Sequence, residues 1–209
     1  GVFRRLPLLI RYNNAFYPSY AFKAICRYLG VAPESIVVKP GKTITLKNAK
    51  RPGAEAGHNI GIPIDRYGNM VINFIGPWDR MKHYNFADVF HASEDRDEME
   101  MWREELSGKI IVISEVSTGS VDVGPVPTDT DFPLSALHAN AMHTILTESF
   151  LRELSGTEMF FIELFLLLII LMLSLRFSSI PFSVGSIAVA GGYVVLTALS
   201  FFYANLIFH

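Results

Sequence analysis

Charge nearly vanishes from this chain after its first three quarters. Of 18 Lys and Arg residues only Arg176 lies beyond Thr157, and of 20 Asp and Glu residues only Glu158 and Glu163 do. Everything before reads as an ordinary water-soluble polypeptide. A polar part and an apolar tail long enough to cross a bilayer twice therefore share one chain, which ties the polar part to a membrane surface.

The tail contains two apolar runs. Residues 159–175 carry Glu163 as their only charge, and residues 180–208 carry none. A spanning helix needs about 20 mostly apolar residues, so the first run is slightly short and the second is long enough to tilt. Arg176, Phe177, Ser178 and Ser179 separate them, and Pro181 sits where a new helix can start without needing its N–H. The expectation is a helical hairpin crossing the membrane. The alternative, two buried core helices of a soluble protein, fits poorly with an uncharged run longer than most soluble helices. A signal peptide would stand at the other end of the chain. Basic residues in short loops favour the cytoplasmic side, so Arg176 puts the connecting loop inside and the polar part outside. Ser183, Gly185, Ser186, Ala188, Ala190, Gly191 and Gly192 place small residues four apart on the second run, where helix backbones can approach closely. Glu163, about one turn into the first run, can reach the headgroups.

The polar part, residues 1–157, fits one domain, with a membrane region at 158–209. The formal net charge of -2 gives no electrostatic footprint for nucleic acid. Cys26 is alone, which leaves no disulfide framework and no cysteine zinc site. Because the sequence starts at Gly1 rather than Met, it is expected to be a piece of a longer protein.

Within the polar part, the apolar residues at 2–10 suggest an entering strand. Apolar spacings of three and four from Tyr20 to Leu29 predict a helix that Gly30 ends. Residues 36–38 and 43–46 flank Pro40-Gly41, a hairpin signal, and residues 47–58 read as a loop. The runs 60–64 and 70–75, separated by Asp65 to Asn69, predict a second hairpin. Short helical turns at 85–90 and a charged helix at 94–106 follow. Ile110-Ile111-Val112-Ile113 resembles a strand buried on both faces of a sheet. Residues 119–132 read as a loop, and 135–151 as a helix with Leu134, Leu137, Ala141, Ile145, Leu146 and Phe150 near one face. Only a few residues join that helix to the first apolar run, which makes Leu137, Ala141 and Ile145 candidates for passing a movement to the membrane helices.

Catalytic chemistry finds little support. His138 and His143 are five apart, about 140° around a helix, and cannot share a metal as two histidines four apart would. His58, His83, His91 and His209 are scattered. Asp95, Asp97, Glu98 and Glu100 resemble part of a calcium loop but lack glycine at its sixth position, where Glu100 stands. No phosphate-binding glycine loop is present, and Ser117, Ser120 and Ser135 lack a nucleophile-elbow pattern. Hence no catalytic residue, metal ligand or cofactor is expected. If the 110–113 run is a sheet strand, Asp122, Asp129 and Asp131 lie in the loop at its carboxyl end, where such sheets bind ligands.

These pieces resemble a known family. The run Gly108 to Ile113, Asp122 with Pro127 five residues on, Phe132-Pro133, His138-Ala139-Asn140-Ala141 and two apolar helices, in that order, are similar to the CHASE-two domain. So are residues 1–8, 17–20, Ile62-Pro63-Ile64-Asp65 and Gly68-Asn69-Met70. That domain is an extracellular sensor on bacterial adenylate and guanylate cyclases, histidine kinases and serine/threonine kinases or phosphatases. The resemblance implies a mixed α/β extracytoplasmic sensor domain followed by an α-helical transmembrane hairpin. It also implies a multi-pass inner-membrane receptor, with an additional crossing and a cytoplasmic output enzyme beyond this stretch. His138 and Asn140 join the three aspartates as candidate ligand contacts. The expected partners are membrane lipid, an unidentified small-molecule or envelope signal and, by analogy with the output enzymes, a second copy in a homodimer. The competing functions are a membrane-anchored extracytoplasmic enzyme and a structural subunit of a membrane complex.

Overall fold

Turn-forming residues interrupt the apolar runs every few positions in the first 150 residues, so the elements there are short. The computed structural model describes residues 1–116 and 122–208. The chain divides into two units, Gly1–Phe150 and Leu151–His209.

In the first unit, β1 (Arg5–Pro7) is followed by a hairpin of β2 (Leu9–Tyr12) and β3 (Ala15–Pro18). Asn13 and Asn14 turn it with φ of 46° and 64°, the left-handed pair a two-residue hairpin loop requires. Helix α1 (Tyr20–Tyr28) buries Ala21, Phe22, Ile25 and Cys26 and gives way to Gly30 at φ 63°, as the spacing predicts. β4 (Ile36–Lys39) and β5 (Thr43–Ala49) form the expected hairpin, and β6 (His58–Pro63) extends it to a three-stranded antiparallel sheet.

β7 (Asn69–Val71) departs from expectation. It pairs with β1, Leu6 opposite Met70, and not with β6. The Asp65 carboxylate accepts the N–H groups of Tyr67 and Asn69 and the Asn69 side-chain amide, which closes a tight turn. Burial of Leu6 and Met70 then selects the new partner strand. Asn85 and Asp95 cap α2 (Phe86–His91) and α3 (Arg96–Leu106) with their side chains, as good N-cap residues do.

Residues 109–116 form no strand. Ile110 and Val112 pack on the core while Ile111 and Ile113 are exposed, a one-sided extended segment rather than a strand covered on both faces. The expected loop at 119–132 is also corrected in part. Its latter half is a hairpin of β8 (Val123–Val126) and β9 (Asp129–Pro133), while Ser117, Gly119 and Ser120 lie outside the described residues. Helix α4 (Ser135–Thr147) ends four residues before the expected limit near residue 151, capped by Glu148, which is left-handed at φ 53°. Leu137, Ala141 and Ile145 are buried as their spacing requires, in the one core that also holds Leu8, Phe22, Ile44 and Phe132.

The second unit is a helical hairpin. β10 (Arg152–Glu153) precedes α5 (Gly156–Arg176), which opens on a capping box between Ser155 and Glu158. After α6 (Ser179–Ala204), Asn205 takes a left-handed conformation and β11 (Leu206–Ile207) pairs in parallel with β10. The second apolar helix thus stops at Ala204, short of residue 208. Both helices are long and apolar enough to cross a membrane, and among the described residues of this unit only Met159 is buried. A Cβ at Gly185 would lie 3.3 Å from the Leu173 side chain, so this small residue sets the approach of α6 to α5, whereas Gly191 and Gly192 meet nothing. Mixed helices and small sheets followed by two apolar helices agree with the fold class read from the sequence.

Candidate functional site

The predicted site residues lie on or around α4, and their surroundings separate them. Asn140 is wholly buried. Its Oδ1 accepts the Ile75 N–H at 3.0 Å, and its amide donates to the Ala136 carbonyl and the Met81 sulfur. One turn on, the Thr144 hydroxyl accepts the Asn73 N–H at 3.1 Å and donates to the Asn140 carbonyl at 2.8 Å. The Asn73 side chain in turn donates to the Ser149 carbonyl. These groups fasten the segment after β7 onto α4. Both amide hydrogens of Asn140 and one lone pair of its Oδ1 are thus engaged within the fold, where it acts as a strut. Thr144 was missed in the sequence because a mid-helix threonine carries no signal of a distant partner.

His138 stands two residues before Asn140, about 200° around the helix, and so faces the other way. Its ring meets the Tyr20 ring edge-on at 5.7 Å, and its Nδ1 has no hydrogen-bond partner among the described residues. Asp129 accepts the N–H groups of Trp78 and Asp131. Those two bonds, Trp78 first, hold its carboxyl below the usual range against a smaller opposing effect of burial. Asp131 is exposed and accepts from the Thr130 hydroxyl. Asp122 is exposed, and its carbonyl accepts the Leu134 N–H where α4 begins. Beside it, the Ser135 hydroxyl bonds that of Ser114 at 2.9 Å. Since 109–116 is not a strand, these acids do not stand at the carboxyl end of a sheet strand. Among the described residues, no three His, Cys, Asp or Glu side chains gather as a metal ion would need.

A cleft of about 790 Å3 opens elsewhere, among α1, the β2–β3 hairpin, β4 and the turns at 39–43 and 65–69. None of the five predicted ligand contacts lines it. Phe22 and Cys26 form its floor with Val31 and Ile64, all buried. Lys23 and Arg27, one step further round α1, and Arg66 from the 65–69 turn stand exposed at the rim. Among the described residues, no carboxylate lines the cleft and none of these three cations has an ion-pair partner. The Arg66 guanidinium lies 4.7 Å from the centre of the Tyr67 ring. Burial pushes the Cys26 thiol up to about 11, which makes it an unreactive part of an apolar floor. The sequence shows the α1 half of this arrangement only as an apolar helical face. The other half depends on two distant turns meeting, where a Cβ added at Gly41, itself at φ 68°, would lie 3.7 Å from the Arg66 Cα.

No curated protein and no solved structure matches the chain. A family model does, that of the CHASE2 domain, over residues 1–175, a stretch that takes in all of the first unit and nearly all of α5. With most of its length so matched, the chain belongs to the CHASE2 domain family, the extracellular sensory domains of signalling receptors.

Proposed function

We propose that this chain is the sensory input module of a bacterial transmembrane receptor that sits in the inner membrane and crosses it more than once. Its first unit lies outside the cytoplasm and receives a signal. The α4 helix, with Leu137, Ala141 and Ile145 locked in the core, relays a displacement toward the apolar helices, and an adenylate or guanylate cyclase or a kinase on the other side responds. The observation that carries this reading is the reach of the family match, which runs without a break from the polar unit into α5. Only eight residues, 148–155, separate α4 from α5, and part of them is held in the β10–β11 pair, which suits a relay better than a free tether. A signal can shift such a relay only by binding one conformation better than the other.

The test uses the receptor as it occurs in the cell. Asp122→Ala, at the β8–β9 hairpin where α4 starts, is expected to blunt the change in output activity on envelope stimulation at unchanged protein level. An unchanged response removes this hairpin from signal reception. An output activity indifferent to every substitution in the first unit overturns the sensory reading as a whole.

A further inference from the structure

We infer that the cleft beside α1 binds a small organic anion with an apolar body, a carboxylate or sulfonate carried on an aromatic or branched hydrocarbon. Its role as a signal rests on the sensory reading above, whereas the binding itself rests on the geometry of the first unit. Sites for small molecules run to about 300–1,000 Å3 and are mostly apolar with a few placed polar groups, and the cleft, at about 790 Å3, falls in that range. The floor of Phe22, Cys26, Val31 and Ile64 offers nothing to a fully polar ion such as free phosphate. The rim decides the sign of the charge. Lys23, Arg27 and Arg66 converge on one opening with no lining acid to neutralise them, so a cation is repelled and a neutral ligand leaves their attraction unused.

The acid nearest in sequence, Asp65, is committed elsewhere. It accepts from Tyr67 and Asn69 and lies 3.6 Å from Arg5. The turn it ties holds Arg66 against Tyr67 and so keeps the guanidinium in place before a ligand arrives. Two guanidinium groups also fit the planar, two-oxygen edge of a carboxylate, or two of the three oxygens of a sulfonate, better than a point charge does.

Calorimetry on the full chain in phosphatidylcholine nanodiscs, with empty nanodiscs subtracted, tests this with 1-naphthaleneacetate as the probe. Saturable one-to-one binding is expected. The neutral 1-naphthaleneacetamide and the double variant Arg27→Gln, Arg66→Gln should each weaken it about tenfold or more, the scale of losing a charged hydrogen bond. Inorganic phosphate should not bind measurably. Lys47→Gln, which removes an exposed cation of β5 outside the cleft, should change nothing. Cys26 is the only native cysteine and is unreactive, so slower modification by N-ethylmaleimide of a cysteine introduced by Val38→Cys, an exposed position of the cleft wall, when the probe is present places the probe in this cleft.

Equal affinity for 1-naphthaleneacetate and 1-naphthaleneacetamide, indifference to the double variant, or no protection of the introduced cysteine overturns the inference. So does loss of probe binding when phosphatidylglycerol is added to the nanodiscs, because the cleft would then take a lipid headgroup. A dimer that excludes the probe and is broken by Val38→Glu at the cleft wall overturns it too, in favour of a second copy as occupant. None of these readouts involves an output enzyme. Their failure leaves the sensory reading standing, and a bound probe that leaves output unchanged counts against that reading while the site remains.

Discussion

Asp65 and Glu105 show how differently two well-bonded carboxylates can count. Glu105 accepts from Lys109, Lys82 and Tyr84, and these bonds, Lys109 first, draw its carboxyl down to about 2. Its partners are long side chains at the surface, where such pairs contribute little and are screened by salt. Burial pushes the Asp65 carboxyl up, but bonds from the Asn69 backbone and side chain, the Tyr67 N–H and the Arg5 charge outweigh it, and the net shift is downward. Its side chain is 20 % exposed, and two of its partners are backbone groups that define a turn. Asp65→Ala is therefore expected to cost about 1.5–3 kcal/mol in chemical denaturation, the range for hydrogen bonds to a charged group, and Glu105→Gln distinctly less. The pH dependence has a definite sign. A carboxyl whose folded value lies below its unfolded value of about 3.9 stabilises the fold fully above that pH. The contribution disappears as pH falls from about 4 through the lower folded value. Asp65→Asn should flatten the stability profile in that acid window, and a slope equal to that of the unaltered chain would contradict the assignment.

At the scale of elements, α4 is the member on which the first unit depends. It packs on α1, β1 and β9, and Asn140 and Thr144 draw the 73–75 segment onto it. Removing either side-chain oxygen leaves a backbone N–H without its partner, at about 1–3 kcal/mol for a buried group. Asn140→Ala should accelerate amide exchange most at Ile75, and Thr144→Val most at Asn73, because each substitution frees a different donor. Uniform acceleration over the whole unit would mean that the two polar groups only support packing. Much of this element was legible in sequence, since Leu137, Ala141 and Ile145 at spacings of four announce a buried helical face. The α1 helix, the β4–β5 hairpin and the two apolar helices were legible for the same reason, that their periodicity or turn chemistry is local. What could not be read is pairing between segments far apart in the chain. Ile110 to Ile113 is apolar enough for a strand covered on both faces, yet only every second side chain finds the core. β7 has the turn of a hairpin with β6 and pairs with β1, because burying Leu6 and Met70 together is a tertiary matter. The cleft was illegible likewise, as Lys23 and Arg27 precede Arg66 by 43 and 39 residues and line one cleft with it only because the 39–43 and 65–69 turns abut.

For the whole molecule, the decisive question is where the loop between α5 and α6 lies. If α5 and α6 cross a membrane as proposed, the bilayer admits few alternatives, since every backbone polar group within it must be satisfied inside the chain, and both helices satisfy theirs internally. Their 21 and 26 residues span about 31 and 39 Å at 1.5 Å per residue, enough for a hydrocarbon core of about 30 Å, the longer one with tilt. Orientation then rests on Arg176, the one basic residue of the apolar region, which favours the cytoplasmic side. In a Cys26→Ala background, a cysteine introduced by Ser178→Cys, an exposed position after α5, should react with a membrane-impermeant maleimide only after the cells are permeabilised. A cysteine introduced by Lys47→Cys should react in intact spheroplasts. Labelling of the Ser178→Cys variant from outside would invert the arrangement and place the CHASE2 unit in the cytoplasm, against the extracellular character of its family. Replacing Arg176 by Glu tests the cause separately. If the single positive charge sets the orientation, the variant should give a mixed labelling pattern. If the folding of the large polar unit on the far side sets it, the pattern should stay as it was, since long domains translocate largely regardless of charge.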